Sequence, residues 1–168
     1  MAGRPDIEIR DATAADAAAV AALYAGYVLE TTATFEEDPV ADAAMAERVA
    51  AAGERGLPWL VAVEGREVIG YAYAAPWNPR GAYRHTAEVT AYVAPGRTGL
   101  GVGSRLYEEL FGRLRALGVH AVVAVIALPN PASVALHERF GLRKAGEFRE
   151  VGRKFCRWVD VGYWQALL

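Results

Sequence analysis

From Thr86 to Val93 the chain alternates: Thr86, Glu88, Thr90 and Tyr92 interleave with Ala87, Val89, Ala91 and Val93. A period of two reads as a β-strand with a polar face and a face of small apolar residues. Pro95 ends it, having no N–H to give a ladder. Shorter strands are read at 7–9, an edge, and at 59–63 and 67–74, a hairpin across Glu64-Gly65. The uncharged run at 122–126 is a buried strand, and 147–155 and 158–164 form the last two.

The other period is helical. Val20, Leu23, Tyr24 and Tyr27 recur at i, i+3, i+4 and i+7 behind Thr13-Ala14-Ala15-Asp16, a capping-box variant. Residues 30–38, rich in threonine and acids, break that pattern. Pro39 opens a second helix with Met45 and Val49 inward. A third runs from about Gly103 to Leu117, with Leu106, Leu110, Leu114 and Leu117 inward and Gly118 as its stop, and a short one lies at 130–140. The order β-α-α-β-β-β-α-β-α-β-β describes an α/β, strictly α+β, sheet with helices on both faces.

At 168 residues and 54% hydrophobic content, one domain over 1–168 with a full core is expected. A net charge of −2, from 18 basic and 20 acidic residues interspersed, argues against nucleic-acid and membrane-surface partners. No apolar run approaches the roughly 18 residues of a membrane helix and no signal peptide opens the chain, so a cytoplasmic protein is expected. Cys156 is the single cysteine and the three histidines are scattered, so no metal dependence is expected.

The chemistry gathers behind the alternating strand, where Gly96, Gly99, Gly101 and Gly103 precede a helix beginning near Ser104. A strand, a glycine turn and a helix N-terminus form an anion site, since bare backbone N–H groups and the helix dipole both favour phosphate oxygens. Three families use that geometry. A P-loop needs Gly-Lys-Ser/Thr, and here Val102-Gly103-Ser104 has no lysine. A dinucleotide fingerprint needs an acid ending the next strand, and residues 121–126 carry no charge. The GNAT acetyltransferases use Gln/Arg-x-x-Gly-x-Gly/Ala; Gly101-Val102-Gly103 fits its glycines, with Thr98 at the first position and Arg97 one residue early.

Farther on, Asn130-Pro131-Ala132-Ser133-Val134-Ala135-Leu136-His137-Glu138-Arg139-Phe140-Gly141 resembles the late helix of the GNAT pattern, with His137 where a tyrosine is usual. The strand before it, the segments Trp59-Leu60-Val61-Ala62, Pro76-Trp77 and Thr86-Ala87-Glu88, and the end Trp158-x-Asp160-Val161-Gly162-Tyr163-Trp164 resemble the phosphinothricin N-acetyltransferases. Enzymes so named in bacteria commonly acetylate methionine sulfoximine or sulfone. The resemblance covers nearly the whole chain and implies acetyl-CoA-dependent N-acetylation of a small amino-acid analogue by direct amine attack.

An ammonium is no nucleophile, so a base is required. On the polar strand face, Glu88 matches the family's proposed base, with Thr90 beside it shaping the pocket. The resemblance implies that backbone groups of Ala91, Tyr92 and Val93 pair with the pantetheine arm. Those of Thr98, Gly99, Leu100, Gly101, Val102, Gly103 and Ser104 hold the pyrophosphate. Asn130, Ser133 and His137 fall on one stripe of the short helix, which is expected to line the sulfur end. There His137 either protonates the thiolate or is a satisfied core histidine; Tyr107 is an alternative acid and otherwise a core or dimer aromatic. Arg80 and Tyr83, ahead of Glu88, and Phe35, in the threonine-rich loop, are the candidate substrate contacts. Asn78, where a basic residue would suit a doubly anionic substrate, favours a neutral sulfone or sulfoximine side chain. A homodimer is expected, with Trp158, Tyr163 and Trp164 offering apolar surface. The alternatives are acetylation of another amine and a non-catalytic acyl-CoA-binding module.

Overall fold

Residues 6–168 are described by a computed structural model. In chain order its elements are β1 (Ile7–Asp11), α1 (Ala17–Glu30), α2 (Asp42–Glu54), β2 (Trp59–Glu64), β3 (Glu67–Pro76) and β4 (Thr86–Val93). They continue with α3 (Val102–Ala116), β5 (Ala121–Leu128), α4 (Pro131–Arg139), β6 (Arg143–Lys154) and β7 (Arg157–Leu167). The expected order of elements holds, with shifted ends. Ala41 is extended, so α2 begins at Asp42 instead of Pro39, which lengthens the connection from α1. Helix α3 begins at Val102, and the last two strands are longer than their apolar cores.

The strands form one sheet in the order β1-β2-β3-β4-β5-β7-β6. Every neighbouring pair is antiparallel except β4 and β5. That parallel ladder is short: Thr86, Ala87 and Glu88 face Ala121, Val122 and Val123, and beyond Glu88 the strands part. β3 and β7 hold the outer edges of the two diverging strands in register, so the gap stays open.

Paired residues share a face of the sheet. Glu88, Thr90 and Tyr92 stand beside Ala75, Tyr73 and Tyr71 of β3. α1 and α2 cover part of this face, packing Val20, Tyr24, Met45 and Val49 against Val61, Val63 and Tyr71. The opposite face carries Ala87 and Val89 and is covered by α3 through Leu106, Leu110 and Leu114. Leu117, expected inward as well, is exposed because α3 ends at Ala116. The first face continues past α1 and α2 over β5 and β7, where Val125 is exposed and Tyr163 meets Trp77 and Phe148 edge-on.

The chain enters α1 through a turn closed by a buried acid. Asp16 accepts from the Thr13 N–H at 2.8 Å and its hydroxyl at 3.0 Å, and pairs with Arg10 through two oxygens at 2.8 Å. The Arg10 hydrogen bonds, opposed by burial, hold its carboxyl at about 2 against the usual 3.8. Its folded pKa is depressed, so its stabilisation is present above the usual value and lost as pH falls toward 2. Asp16→Asn is therefore expected to cost about 2 kcal/mol at neutral pH. In urea titrations the deficit should shrink below about pH 4 as the wild type loses the same contribution.

Candidate active site

The gap between β4 and β5 opens into a cleft of about 390 Å³. One wall is β4 from Val89 to Val93, the other Val125, Ile126 and Ala127 of β5, and the far end is closed by the glycine turn and α4. Beyond Glu88 the backbone of β4 has no strand partner on the β5 side and faces the cleft. Ala91, Tyr92, Val93, Thr98, Gly99, Gly101, Val102, Gly103 and Ser104 all line it, and Thr90 joins them. Leu100 does not: its side chain is exposed.

The turn fixes which glycines matter. Gly99 and Gly101 have φ of 77° and 84°, the left-handed region that L side chains rarely adopt. Gly101 caps α3, so the unpaired N–H groups of Val102, Gly103 and Ser104 begin the helix at the cleft. Gly103 is already helical, with Leu136 of α4 3.3 Å from where a Cβ would sit. Gly99 and Gly101 are therefore the left-handed residues of the turn, while Gly103 lies in the first turn of α3, at the cleft and close to α4.

On α4, the Asn130 side chain accepts the Ser133 N–H at 3.1 Å and caps the helix. Asn130, Ser133 and His137 line the cleft together, as their spacing implied. His137 is nevertheless buried, and both ring nitrogens are occupied. Nδ1 lies 2.7 Å from the Ser133 carbonyl and Nε2 2.7 Å from the Tyr107 hydroxyl. A carbonyl only accepts, so Nδ1 carries the proton and Nε2 accepts from Tyr107. Burial lowers the His137 pKa and raises that of the fully buried Tyr107, which favours this neutral pair.

Glu88 lies just short of the cleft, where β4 and β5 are still paired. It is half-buried, and among the described residues its carboxylate has no hydrogen-bond partner. Burial raises its pKa. Tyr73, across the ladder from Thr90, is pushed up to about 12, mainly by burial.

Of the expected substrate contacts Thr90 lines the cleft, and Arg80, Tyr83 and Phe35 do not. Arg80 and Tyr83 are exposed around the helical turn Gly81–Tyr83, with the Arg80 N–H donating to the Asn78 side chain at 3.1 Å. Phe35 lies against Gly152. The cleft also includes residues that the sequence reading did not assign to the site: Tyr27, Ala33, Arg97 and Arg139. A tyrosine closing an apolar helical stripe must find a partner for its hydroxyl, and that signal was available: Tyr27 donates to the Val93 carbonyl at 2.6 Å. Arg97 pairs with Glu64 at 2.5 Å, a contact with no sequence signature.

Among the described residues no three His, Cys, Asp or Glu side chains gather as a metal site, and no helix is long and apolar enough to cross a membrane. Of the aromatic trio near the chain's end, Trp158 is 61% exposed and Tyr163 partly so, whereas Trp164 is a core residue whose indole N–H donates to Glu138. Phe148, Val151 and Phe155 are further exposed apolar side chains of the β6–β7 hairpin.

Residues 20–142 match the model of the acetyltransferase (GNAT) family. The phosphinothricin N-acetyltransferase of Streptomyces coelicolor is 40% identical over an alignment of 182 positions that spans 100% of both chains. The L-methionine sulfoximine/L-methionine sulfone acetyltransferase of Pseudomonas paraeruginosa is 40% identical over 161 positions, 95% of this chain and 94% of that one. Among solved structures, a phosphinothricin acetyltransferase from Sinorhizobium meliloti in complex with acetyl-CoA superposes with a TM-score of 0.93 at 39% identity, over 96% of this chain and 88% of that one.

Proposed function

The chain belongs to the acetyltransferase (GNAT) family and is an acetyl-CoA-dependent N-acetyltransferase; we propose that its acceptor is the free amino group of a small amino-acid analogue of the phosphinothricin, methionine sulfoximine or methionine sulfone type. The observation that carries this reading is one strand with two offices. β4 presents Glu88, a half-buried carboxylate with a raised pKa, immediately before the point where its backbone parts from β5.

The residues present fit acetyl-CoA: unpaired β4 backbone suits a pantetheine arm, and the helix N-terminus behind Gly99 and Gly101 suits pyrophosphate. When bound, acetyl-CoA supplies an acyl carbon already activated as a thioester. In this reading a backbone N–H from Ala91 to Val93 polarises the acyl carbonyl, as an oxyanion donor does. Glu88 takes one proton of the acceptor ammonium and frees the lone pair that attacks the acyl carbon. As the C–N bond forms the C–S bond breaks, and the second proton shed by the nitrogen passes to the departing thiolate. Burial suits it to this, since a carboxylate with a raised pKa is a stronger base than an ordinary one. His137 serves by position, because its N–H is committed to Ser133 and its other nitrogen to Tyr107.

On the acceptor side, Arg80 and Tyr83 would meet the substrate carboxylate, with Phe35 and Thr90 shaping the space between. The amide of Asn78 favours a neutral sulfone or sulfoximine side chain over a second anion. A free amino acid and acetyl-CoA are both cytoplasmic solutes, which fits a cytoplasmic enzyme. The exposed apolar side chains of the β6–β7 hairpin, Trp158 and Phe155 at its tip among them, support a homodimer. Light scattering at micromolar concentration is expected to give twice the chain mass, and Trp158→Asp to give a monomer.

The direct test is thiol release from acetyl-CoA with a panel of free amino acids and analogues. Methionine sulfoximine and sulfone should be turned over, whereas polyamines and aminoglycosides should not. For the cofactor half, a Cβ at Gly101 would touch nothing within 4 Å, so the cost of a side chain there is conformational. Gly101→Val is expected to weaken acetyl-CoA binding at least about tenfold by calorimetry, because a left-handed β-branched residue displaces the turn. Its melting temperature should stay within a few degrees of the wild type. Unchanged affinity would remove the phosphate assignment.

A further inference from the structure

The segment between α1 and α2 has no regular structure, yet it is tied down through its middle, from Thr34 to Glu36. The Thr34 hydroxyl meets the Tyr24 hydroxyl at 2.6 Å, and Glu36 pairs with Arg48 at 2.7 Å. The third tie is to the far edge of the sheet. Lys154, only 3% exposed, donates from Nζ to the Thr34 carbonyl at 2.8 Å, across 120 residues of sequence. The Phe35 ring lies on Gly152 so closely that a Cβ there would stand 2.1 to 2.9 Å from three ring atoms. Along β6 every residue is exposed except Gly152 and Lys154, the two that touch this segment. An edge strand that buries a bare glycine and a lysine, and nothing else, is shaped around what it holds.

What it holds borders the active site. Ala33, one residue before the clamped pair, lines the cleft, and Tyr92, on the cleft wall, packs edge-on against the Tyr24 ring. The segment therefore passes from the β4 side of the cleft to the β6–β7 hairpin, on the sheet face that carries Glu88. We propose that Gly152 and Lys154 are positioning residues: they latch Thr34 and Phe35 as a strap whose inner edge is the wall of the acceptor site, and so set how tightly a small amino acid is held. This rests on the reading of that face as the acceptor site. The ammonium of Lys154, near Glu36 and Glu37, is suited to the task because a buried carbonyl partner makes its single bond a strong tether.

Two variants loosen the latch by different routes. Gly152→Ala pushes the Phe35 ring away, which is cheap because the ring can swing to solvent. Lys154→Met keeps length and bulk but loses the tether. Each is expected to raise the KM for the amino-acid acceptor about tenfold, with kcat and the KM for acetyl-CoA within about twofold. Lys154→Arg should restore most of the loss. On a Phe35→Ala background, Gly152→Ala should add nothing, since the ring it displaces is gone. Amide exchange over residues 31–41 should quicken in both single variants, a readout that needs no substrate. Faster exchange with an unchanged acceptor KM, or effects of Gly152→Ala and Phe35→Ala that simply add, would overturn the latch while leaving the enzyme reading intact. A wild type that releases no thiol with any free amino acid would sink the acceptor reading, and this proposal with it.

Discussion

Glu88→Gln is expected to lower turnover at neutral pH by about 10²–10⁴-fold, the usual worth of a general base. The amide keeps the size of the side chain and some of its hydrogen bonding but cannot take a proton. Affinity for acetyl-CoA should barely move, because Glu88 lies outside the cleft lining, on the paired side of the point where β4 and β5 separate. The pH profile separates loss of a base from loss of shape. Burial raises the Glu88 pKa, so the wild-type rate should fall on acidification from a pH above the ordinary 4.5 of a glutamate. The variant should lack that limb. Its deficit should shrink as pH rises toward the amine's own pKa, where solution supplies the free nucleophile. Near-normal turnover of Glu88→Gln at neutral pH would make the carboxylate a bystander.

That Glu88 stands one step before the cleft is the part of the geometry best read from sequence. Alternation from Thr86 to Val93 placed Glu88, Thr90 and Tyr92 on one face, and the β3 register puts Tyr71, Tyr73 and Ala75 beside them. The glycine turn was also visible as a cluster, but not which of its glycines would be left-handed. Four glycines at close spacing fit a motif in more than one way, and only φ distinguishes the left-handed Gly99 and Gly101 from the helical Gly103. Pro39 signalled a helix start that falls at Asp42, because the chain stays extended through Ala41 to carry the tied segment past the sheet. The contacts of that segment had no local signal. Lys154 and Gly152 read as ordinary strand residues until the fold brings Thr34 and Phe35 onto them. Periodicity reports the face on which a residue lies; it is silent on partners distant in sequence.

The other large effect concerns His137. Both sequence alternatives, a proton donor at the thiol and a satisfied core histidine, predict that replacing it is harmful, and they differ in where the harm appears. With Nδ1–H on the Ser133 carbonyl and Nε2 accepting from Tyr107, His137→Leu strands a fully buried hydroxyl. The expected cost is about 2–4 kcal/mol of stability. Removing both polar partners should be milder than the sum, so His137→Leu with Tyr107→Phe is expected to recover about 1–2 kcal/mol. Stability against pH gives a second signature. Burial lowers the His137 pKa below the usual 6.5, so the unfolded chain takes a proton there before the folded one does. This contribution is present above 6.5 and is lost as pH falls, and the gap between wild type and His137→Leu should narrow accordingly. Turnover in the single variant should drop less than about tenfold, with a raised KM for acetyl-CoA as the first turn of α4 loosens. A variant that folds as stably as the wild type yet loses about 10²-fold or more in kcat would show the opposite: that the imidazole breaks one of its two internal bonds during the reaction and delivers a proton itself.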